Sequence, residues 1–161
     1  MSTPTIANRV ELSNRNALIE RLRIALPKLL SGSPIALAYL YGSAAAGTST
    51  PLSDIDVALI AGDSSALSRR FEIEADLAAK LGEQGILRAD ARLINDAPIM
   101  LKGTVVTTGV LVYSTDDKLR IEFEAFTRRL YFDYLPVAQR LQDEYIQVVL
   151  NRPVRTTKAA P

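Results

Sequence analysis

Apolar residues recur along the chain at two spacings, one typical of helices and one typical of strands. Helical spacing predicts helices over residues 14–30, 64–81, 97–108, 116–135 and 137–150. Short apolar or alternating runs predict strands over residues 35–41, 54–60, 86–94 and 110–114. Helices and strands that share one core predict an α/β or α+β fold with a helical C-terminal third.

Proline, glycine and short polar residues predict where the helices begin and end. Four features are expected to do this: an N-cap at Ser13 or Asn14, a kink or early stop at Pro27, a C-terminal stop at Gly82, and a break at Pro136. A further N-cap is expected at Thr115 or Asp116. The face of helix 64–81 expected to be buried carries Leu67, Phe71, Ala75, Ala78 and Leu81. Residues 1–150 are expected to form one domain without internal repeats, and residues 151–161 a disordered tail.

Composition narrows the chemistry more than the fold. The chain has no cysteine and no histidine, which excludes disulfides, thiolate zinc sites, cysteine nucleophiles and a histidine base. Any metal must therefore be held by carboxylates, which favours Mg²⁺ or Mn²⁺. The 19 basic and 18 acidic side chains nearly cancel, so neither direct nucleic-acid binding nor binding to an anionic membrane is expected. The polar segment 1–10 lacks an apolar core, and a cytoplasmic protein is expected.

Two aspartates stand two residues apart at the start of the second predicted strand. Side chains at this spacing leave the same face of a sheet, about 6 to 7 Å apart along the strand. Two like charges on one face are stabilised by a divalent cation, which makes Asp54 and Asp56 candidate metal ligands. The alternative is an exposed strand whose acids face water.

Directly before these acids, the first strand ends in a loop rich in small residues. Gly42 adds no side chain and Ser43 adds a hydroxyl, so the backbone N–H groups here can approach phosphate oxygens. A flexible surface loop is the alternative interpretation.

A third aspartate, Asp90, lies in the middle of the polar face of strand 86–94. It converges with Asp54 and Asp56 only if its strand lies beside theirs, and it could then bind a second metal and take a proton. The neighbours Arg88 and Arg92 support another interpretation, a salt-bridged solvent face, or they could themselves reach a triphosphate.

Gly42-Ser43, ten residues and then Asp54-Ile55-Asp56 resembles the GSx₁₀DxD signature of the DNA polymerase β-like nucleotidyltransferase superfamily, in particular its minimal nucleotidyltransferase (MNT) branch. The segment 90–98, Asp-Ala-Arg-Leu-Ile-Asn-Asp-Ala-Pro, is similar to the family's third-aspartate strand, with Ile94 in place of a leucine. Many members carry arginine where this chain has Ala46, so one contact from the loop is missing.

The resemblance implies a nucleotidyltransferase fold, a small mixed sheet packed against helices. It also implies an Mg²⁺-dependent enzyme with two ions and ATP as co-substrate. Asp54 and Asp56 would then bind both ions, Asp90 would bind the catalytic one and orient the acceptor, and Gly42 and Ser43 would hold phosphates. Free-standing MNT proteins resemble antitoxins of HEPN/MNT toxin–antitoxin pairs, which place AMP on a tyrosine of the HEPN ribonuclease toxin. Both a homo-oligomer and a hetero-oligomer are left open.

Two alternatives stand beside that function. One is a non-catalytic antitoxin that masks its toxin by contact, although most of the aromatic residues of this surface are expected in the core. The apolar surface would come from five residues of the C-terminal third: Phe123, Phe126, Leu130, Tyr131 and Tyr134. The other is an adenylyltransferase acting on a small molecule such as an aminoglycoside, ranked last because the chain has little beyond a minimal core.

Overall fold

The computed structural model describes residues 6–50 and 52–150, in which helices and strands alternate. The elements are α1 (Ile6–Leu29), β1 (Ile35–Tyr41), α2 (Gly42–Ala46), β2 (Ile55–Ala61), a 3₁₀ helix (Ser64–Arg69), α3 (Arg70–Glu83), β3 (Ala89–Leu93), α4 (Ile99–Thr108), β4 (Val110–Ser114) and α5 (Asp117–Leu150). The tail expected at residues 151–161 lies outside the described residues, and the single domain over 1–150 stays a prediction. None of the helices in the described ranges is long and apolar enough to cross a membrane.

Four strands form one mixed sheet in the order β3-β2-β1-β4. β1 is antiparallel to both β2 and β4, whereas β3 runs parallel to β2. Six of the seven residues of β1 are buried, as expected for the continuous apolar run that predicts a central strand. The small mixed sheet packed against helices is therefore confirmed.

Both faces of the sheet are covered. On one face, Leu40 and Leu59 pack into a cluster with Leu22 and Leu26 of α1 and with Leu77 of α3. On the other face, the sheet residues pack against Val105 of α4 and Phe123 of α5. Because strand residues alternate between faces, the polar residues at the ends of β2 and β3 share the α4/α5 face.

The first helix begins earlier than its sequence predicts. α1 already contains residues 13 and 14, so the N-cap expected at Ser13 or Asn14 is wrong. Pro27 lies inside the helix, which continues to Leu29. A proline near the end of a helix removes one hydrogen bond, and tertiary packing of the apolar face can maintain the remaining turns.

Helix 64–81 is correct in position but only partly correct in its buried face. Its first six residues form the 3₁₀ helix, which has three residues per turn, so the phase of the following α3 is shifted. The expected core residue Leu81 is buried, but Leu77, which was not expected, is buried as well. Phe71, expected in the core, is 83% exposed. Gly82 lies within α3 and does not end it; the left-handed glycine after the helix is Gly85, at φ 72°.

Pro136 does not break the C-terminal helical run. α5 is one helix of 34 residues that passes through it. A proline inside a helix removes one hydrogen bond and can kink the axis without ending the helix. The cap expected at Asp116 is confirmed, because its carboxylate accepts hydrogen bonds from the N–H groups of Lys118 and Leu119 at 2.9 and 3.0 Å.

The first half of α5 is fixed to the rest of the fold. The Tyr39 hydroxyl donates to Glu124 at 2.8 Å, and the Arg128 guanidinium donates to the carbonyl of Val106 at 3.2 Å. Tyr131 lies directly over Gly103 of α4, so closely that a methyl group on Gly103 would overlap its ring. Residues 139–150, in contrast, are exposed on every side.

The contact between Gly103 and Tyr131 predicts an asymmetry between two helical glycines. Gly103→Ala should destabilise the protein by about 1 to 3 kcal/mol because the added methyl group forces α4 and α5 apart. Gly82→Ala should instead stabilise by about 0.5 to 1 kcal/mol, because Gly82 is helical and a Cβ there has no neighbour within 4 Å. Urea unfolding of the two variants measures both values, and equal effects would contradict the packing described.

Candidate active site

One row of polar side chains crosses three neighbouring strands at one end of the sheet. Tyr41, the last residue of β1, is paired with Asp56 of β2, and Asp56 is paired with Asp90 of β3. Paired residues on neighbouring strands lie about 5 Å apart and point to the same face. The expectation that the strand of Asp90 lies beside that of Asp56 is therefore confirmed.

The first aspartate of the pair lies just outside the strand. β2 begins at Ile55, one residue later than predicted, so Asp54 is the residue before it. Its side chain is 59% exposed and accepts hydrogen bonds from Nε and Nη2 of Arg88, at 3.1 and 2.9 Å.

Arg88 adopts a backbone conformation that is rare for a side chain of its size. Its φ is 61°, in the left-handed region, at the residue before β3 begins. Its carbonyl accepts a hydrogen bond from the N–H of Ile55 at 2.9 Å, and its guanidinium holds Asp54. The backbone bond to the start of β2 helps to offset the strain of this conformation.

Asp90 also has an arginine partner. Nη2 of Arg92 donates to its carboxylate at 2.9 Å. Arg88 and Arg92, two residues before and two residues after Asp90, thus neutralise Asp54 and Asp90 respectively. This is the salt-bridged arrangement that the sequence analysis gave as an alternative.

Among the three acids, Asp56 is the one whose charged form is destabilised by its surroundings. Burial raises its pKa above the usual carboxyl value, and the charges of Asp90 and Asp54 raise it further, against a lowering effect of Arg92. The pKa of Tyr41 is raised as well, first by burial and then by Asp56. A positive charge placed beside Asp56 would relieve both effects.

The small-residue loop approaches this same carboxylate. Gly42 has φ 69°, and a Cβ there would lie 2.5 Å from Oδ2 of Asp56, so only glycine fits. Gly42 and Ser43 open the short helix α2, whose first turn has no side-chain cap. Its N–H groups are therefore available to an anion beside the acids. Buried Ala44 and Ala45 anchor the helix in the core.

Two cavities flank the row of acids. One, of about 540 Å³, lies beside Asp90 and is lined by Phe71, Arg92 and Pro98, among others. The other, of about 400 Å³, lies beside Asp54 and is lined by Arg15 and Thr50, among others. The first cavity thus opens beside Asp90 and the second beside Asp54, and Asp56 lines neither of them.

Sequence reasoning did not assign roles to Tyr41 or Arg15. Tyr41 is part of the row, and its position as the last residue of an apolar strand next to Gly42 was the available signal. Nε of Arg15 donates to the carbonyl of Ala45 at 2.5 Å, which braces α2 from α1. No sequence pattern links residues 15 and 45, because this contact depends on the packing of two helices.

The acids are the right kind of ligand for a hard divalent cation, since they offer carboxylate oxygens. Within residues 6–50 and 52–150, however, no three acids are already gathered around a common point. Asp54 and Asp90 are each bound through one carboxylate oxygen, by Arg88 and Arg92 respectively. The residues fit a metal in chemistry, and a metal that used both oxygens of Asp54 or Asp90 would displace these arginines.

A mixed sheet with one acid directly before β2, a second within it, a third on the neighbouring β3 and a glycine turn against them is the arrangement expected of a nucleotidyltransferase. The family model described as "Polymerase beta, Nucleotidyltransferase" matches residues 26–118, more than half of the chain. The chain belongs to this polymerase β nucleotidyltransferase family.

Individual relatives are similar over most of the chain. The protein adenylyltransferase MntA of Shewanella oneidensis is 35% identical over 108 residues, 66% of this chain and 70% of that protein. A crystal structure of a toxin–antitoxin with AMP-PNP aligns with a TM-score of 0.57 and 28% identity, covering 83% of this chain and 98% of the other. The tri-AMPylated HEPN toxin of Shewanella oneidensis in complex with its MNT antitoxin aligns with a TM-score of 0.52 and 26% identity, covering 84% and 98%.

The position of Gly42 predicts that a methyl group there damages the site specifically. Gly42→Ala should lower affinity for nucleotide and divalent metal by ~10-fold or more, because its Cβ displaces the Asp56 carboxylate. Gly32→Ala is the matched control, since Gly32 has φ 73° with no neighbour within 4 Å of a Cβ. Both variants share the backbone strain, so titration calorimetry with an ATP analogue isolates the contact. Equal loss in both would contradict it.

The raised pKa of Asp56 predicts a pH-dependent stability. An acid whose pKa is higher in the folded state stabilises below the usual carboxyl pKa, and this contribution is lost as pH rises through the raised pKa. At neutral pH the charged Asp56 therefore destabilises the metal-free fold. Asp56→Asn should raise the melting temperature by a few degrees at pH 7 in EDTA, with a smaller gain near pH 4.

Asp76→Asn serves as the control for this measurement. Asp76 is paired with Lys80 at 2.7 Å on α3, away from the acids, so its removal should not raise the melting temperature. A melting temperature for Asp56→Asn that is unchanged or lowered at pH 7 would contradict the strain assigned to this site.

Proposed function

We propose that the chain is an antitoxin that transfers AMP from ATP to a tyrosine of a cognate HEPN ribonuclease toxin. The observation that carries the proposal is the meeting of Gly42, Asp56 and Asp90 at one point of the sheet. The likeness to a protein adenylyltransferase, and to antitoxins solved with AMP-PNP and with an AMPylated HEPN toxin, supports the choice of co-substrate and acceptor. A cytoplasmic location accords with the absence of cysteine.

In this function the loop at Gly42 and Ser43 binds the nucleotide and the three acids bind the metal. The N–H groups of Gly42 and Ser43 bind the phosphates of ATP at the start of α2. Asp54, Asp56 and Asp90 hold Mg²⁺, with two ions in the full site. When bound, Mg²⁺ supplies positive charge that neutralises the triphosphate and the attacking oxygen.

The transfer is a displacement at the α-phosphorus of ATP. The tyrosine oxygen forms a bond to this phosphorus, the bond to the oxygen bridging the α- and β-phosphates breaks, and pyrophosphate leaves. Asp90 orients the tyrosine hydroxyl and its carboxylate receives the proton. Arg88 and Arg92 are about half exposed, so they can leave the acids with little loss of stability and reach the triphosphate instead.

Removal of the acid pair tests this proposal. The double variant Asp54→Asn/Asp56→Asn should transfer AMP to the toxin at least about 10²–10³-fold more slowly than the wild type, because it lacks the charges that hold the metal. The measurement is incorporation of radiolabelled AMP into the toxin with ATP and Mg²⁺, together with the ribonuclease activity that survives. Asp76→Asn should behave as the wild type.

The same double variant separates catalysis from masking. The expectation that most of these aromatics lie in the core is wrong, because Phe126 and Tyr134 are exposed and Phe123 and Tyr131 are half-buried. Phe126 and Tyr134, together with the exposed Leu130, are therefore available to a partner. Full neutralisation of the toxin by the double variant would favour masking by contact and overturn the enzymatic function. The small-molecule alternative has no support from the named relatives, and an ATP-dependent mass gain on an aminoglycoside would revive it.

A further inference from the structure

The exposed side of α5 carries an apolar stripe with a regular spacing. Its members are separated by four, four and three residues, and this pattern occurs twice in succession: Phe126, Leu130, Tyr134, Val137, Leu141, Tyr145 and Val148. These seven residues, called here the α5 stripe, are between 38% and 70% exposed. Eleven residues in three turns is 3.67 residues per turn, so the stripe stays on one side of the helix over about 33 Å.

The spacing reflects an 11-residue repeat in the sequence, contrary to the expectation of none. Residues 129–134 read Arg-Leu-Tyr-Phe-Asp-Tyr, and residues 140–145 read Arg-Leu-Gln-Asp-Glu-Tyr. Arginine, leucine, an acid and tyrosine thus return at the same four positions. A repeat of this period is typical of helices that pack lengthwise against another helix.

Beside the stripe, on one flank, the repeat places four charges in alternating order: Arg129, Asp133, Arg140 and Glu144. All four are exposed, and the ion pairs of α5 within the described chain involve other residues, in its first turns. Read in the opposite direction, this order of charges is minus, plus, minus, plus. Two antiparallel copies therefore place opposite charges side by side. A second α5 running in the opposite direction would bring Arg129 beside Glu144 and Asp133 beside Arg140, and the reciprocal pairs would form as well.

The direction follows from the fold. An antiparallel partner helix meets each flank with the same flank of its own, so the charged side faces the charged side. A parallel partner would face the opposite flank, where Thr127 is buried and Tyr131 is packed on α4. The last turns of α5, which touch nothing else in the described chain, would lie along the first half of the other helix.

We infer that two copies of this chain associate through the α5 stripe as an antiparallel helix pair centred near Pro136 and Val137. The apolar stripe supplies the driving force, and the flanking charges set direction and register. Burial of the stripe in the dimer also explains why residues 139–150 are helical although they are exposed on every side. A short, exposed helical segment has little stability of its own in water. The inference does not rest on the proposed function.

The first test is the oligomeric state of the full chain. Sedimentation equilibrium over a concentration series should give a dimer for the wild type and a monomer for Leu141→Glu, which places a charge in the stripe. Ile146→Glu, on the far side of the helix from the stripe, should remain a dimer. Because both residues are exposed, circular dichroism should show the same fold for both variants.

A charge exchange tests the register. Asp133→Arg and Arg140→Asp should each weaken the dimer roughly tenfold, since each sets like charges against one another twice in the pair. The double variant Asp133→Arg/Arg140→Asp should return to within a few-fold of the wild type.

Three outcomes would overturn the inference. They are a monomeric wild type at all concentrations, a Leu141→Glu variant that still dimerises, and a double charge exchange as weak as the single changes. A monomeric wild type whose Leu141→Glu variant no longer binds the toxin would instead assign the stripe to the toxin.

Discussion

Three carboxylates on adjacent strands need positive charge, and much of the site is arranged around that need. Asp56 lies near both Asp54 and Asp90, with the glycine turn against its Oδ2 atom. The outer two acids take Arg88 and Arg92. The strained backbone of Arg88 and the uncapped first turn of α2 both lie next to this concentration of charge. The sheet supplies rigidity, because a pairing error of one residue would turn Asp56 and Asp90 to opposite faces.

The features best predicted from the sequence are those that depend on residues close to one another in the chain. β1 and β4 have the predicted bounds, since a short apolar run between turns leaves few alternatives. The spacing from Gly42 to Asp56 likewise predicted that the glycine turn faces the acids, and Gly42 does lie against Asp56. Features that depend on distant contacts were missed: the buried face of α3 changed because a 3₁₀ turn precedes it, and α5 continued through Pro136. That Asp90 lies beside Asp56 required knowledge of strand order, and the arginine partners required side-chain positions.

The two halves of α5 show how one helix can serve two surfaces. Up to about Ala138 it is partly buried against α4 and the sheet, where Gly103 lets the helices approach closely. Beyond that point it has only solvent around it in the described chain. The 11-residue period was not predicted because the break expected at Pro136 divides the stripe between two helices, each of which looks like an ordinary amphipathic helix. Only the unbroken helix aligns the two halves and makes the period visible.

The two arginine–aspartate ion pairs also describe the state of the enzyme before it binds its ligands. With Arg88 and Arg92 on its acids, the chain carries its own counter-ions and can reach its folded state without a supply of metal. In the proposed function, binding of Mg²⁺ and ATP would exchange one set of cations for another, and the displaced guanidinium groups would face the incoming polyanion. Such a protein would be folded before its ligands arrive. Its affinity for the nucleotide would then reflect the difference between the ionic contacts made before and after binding.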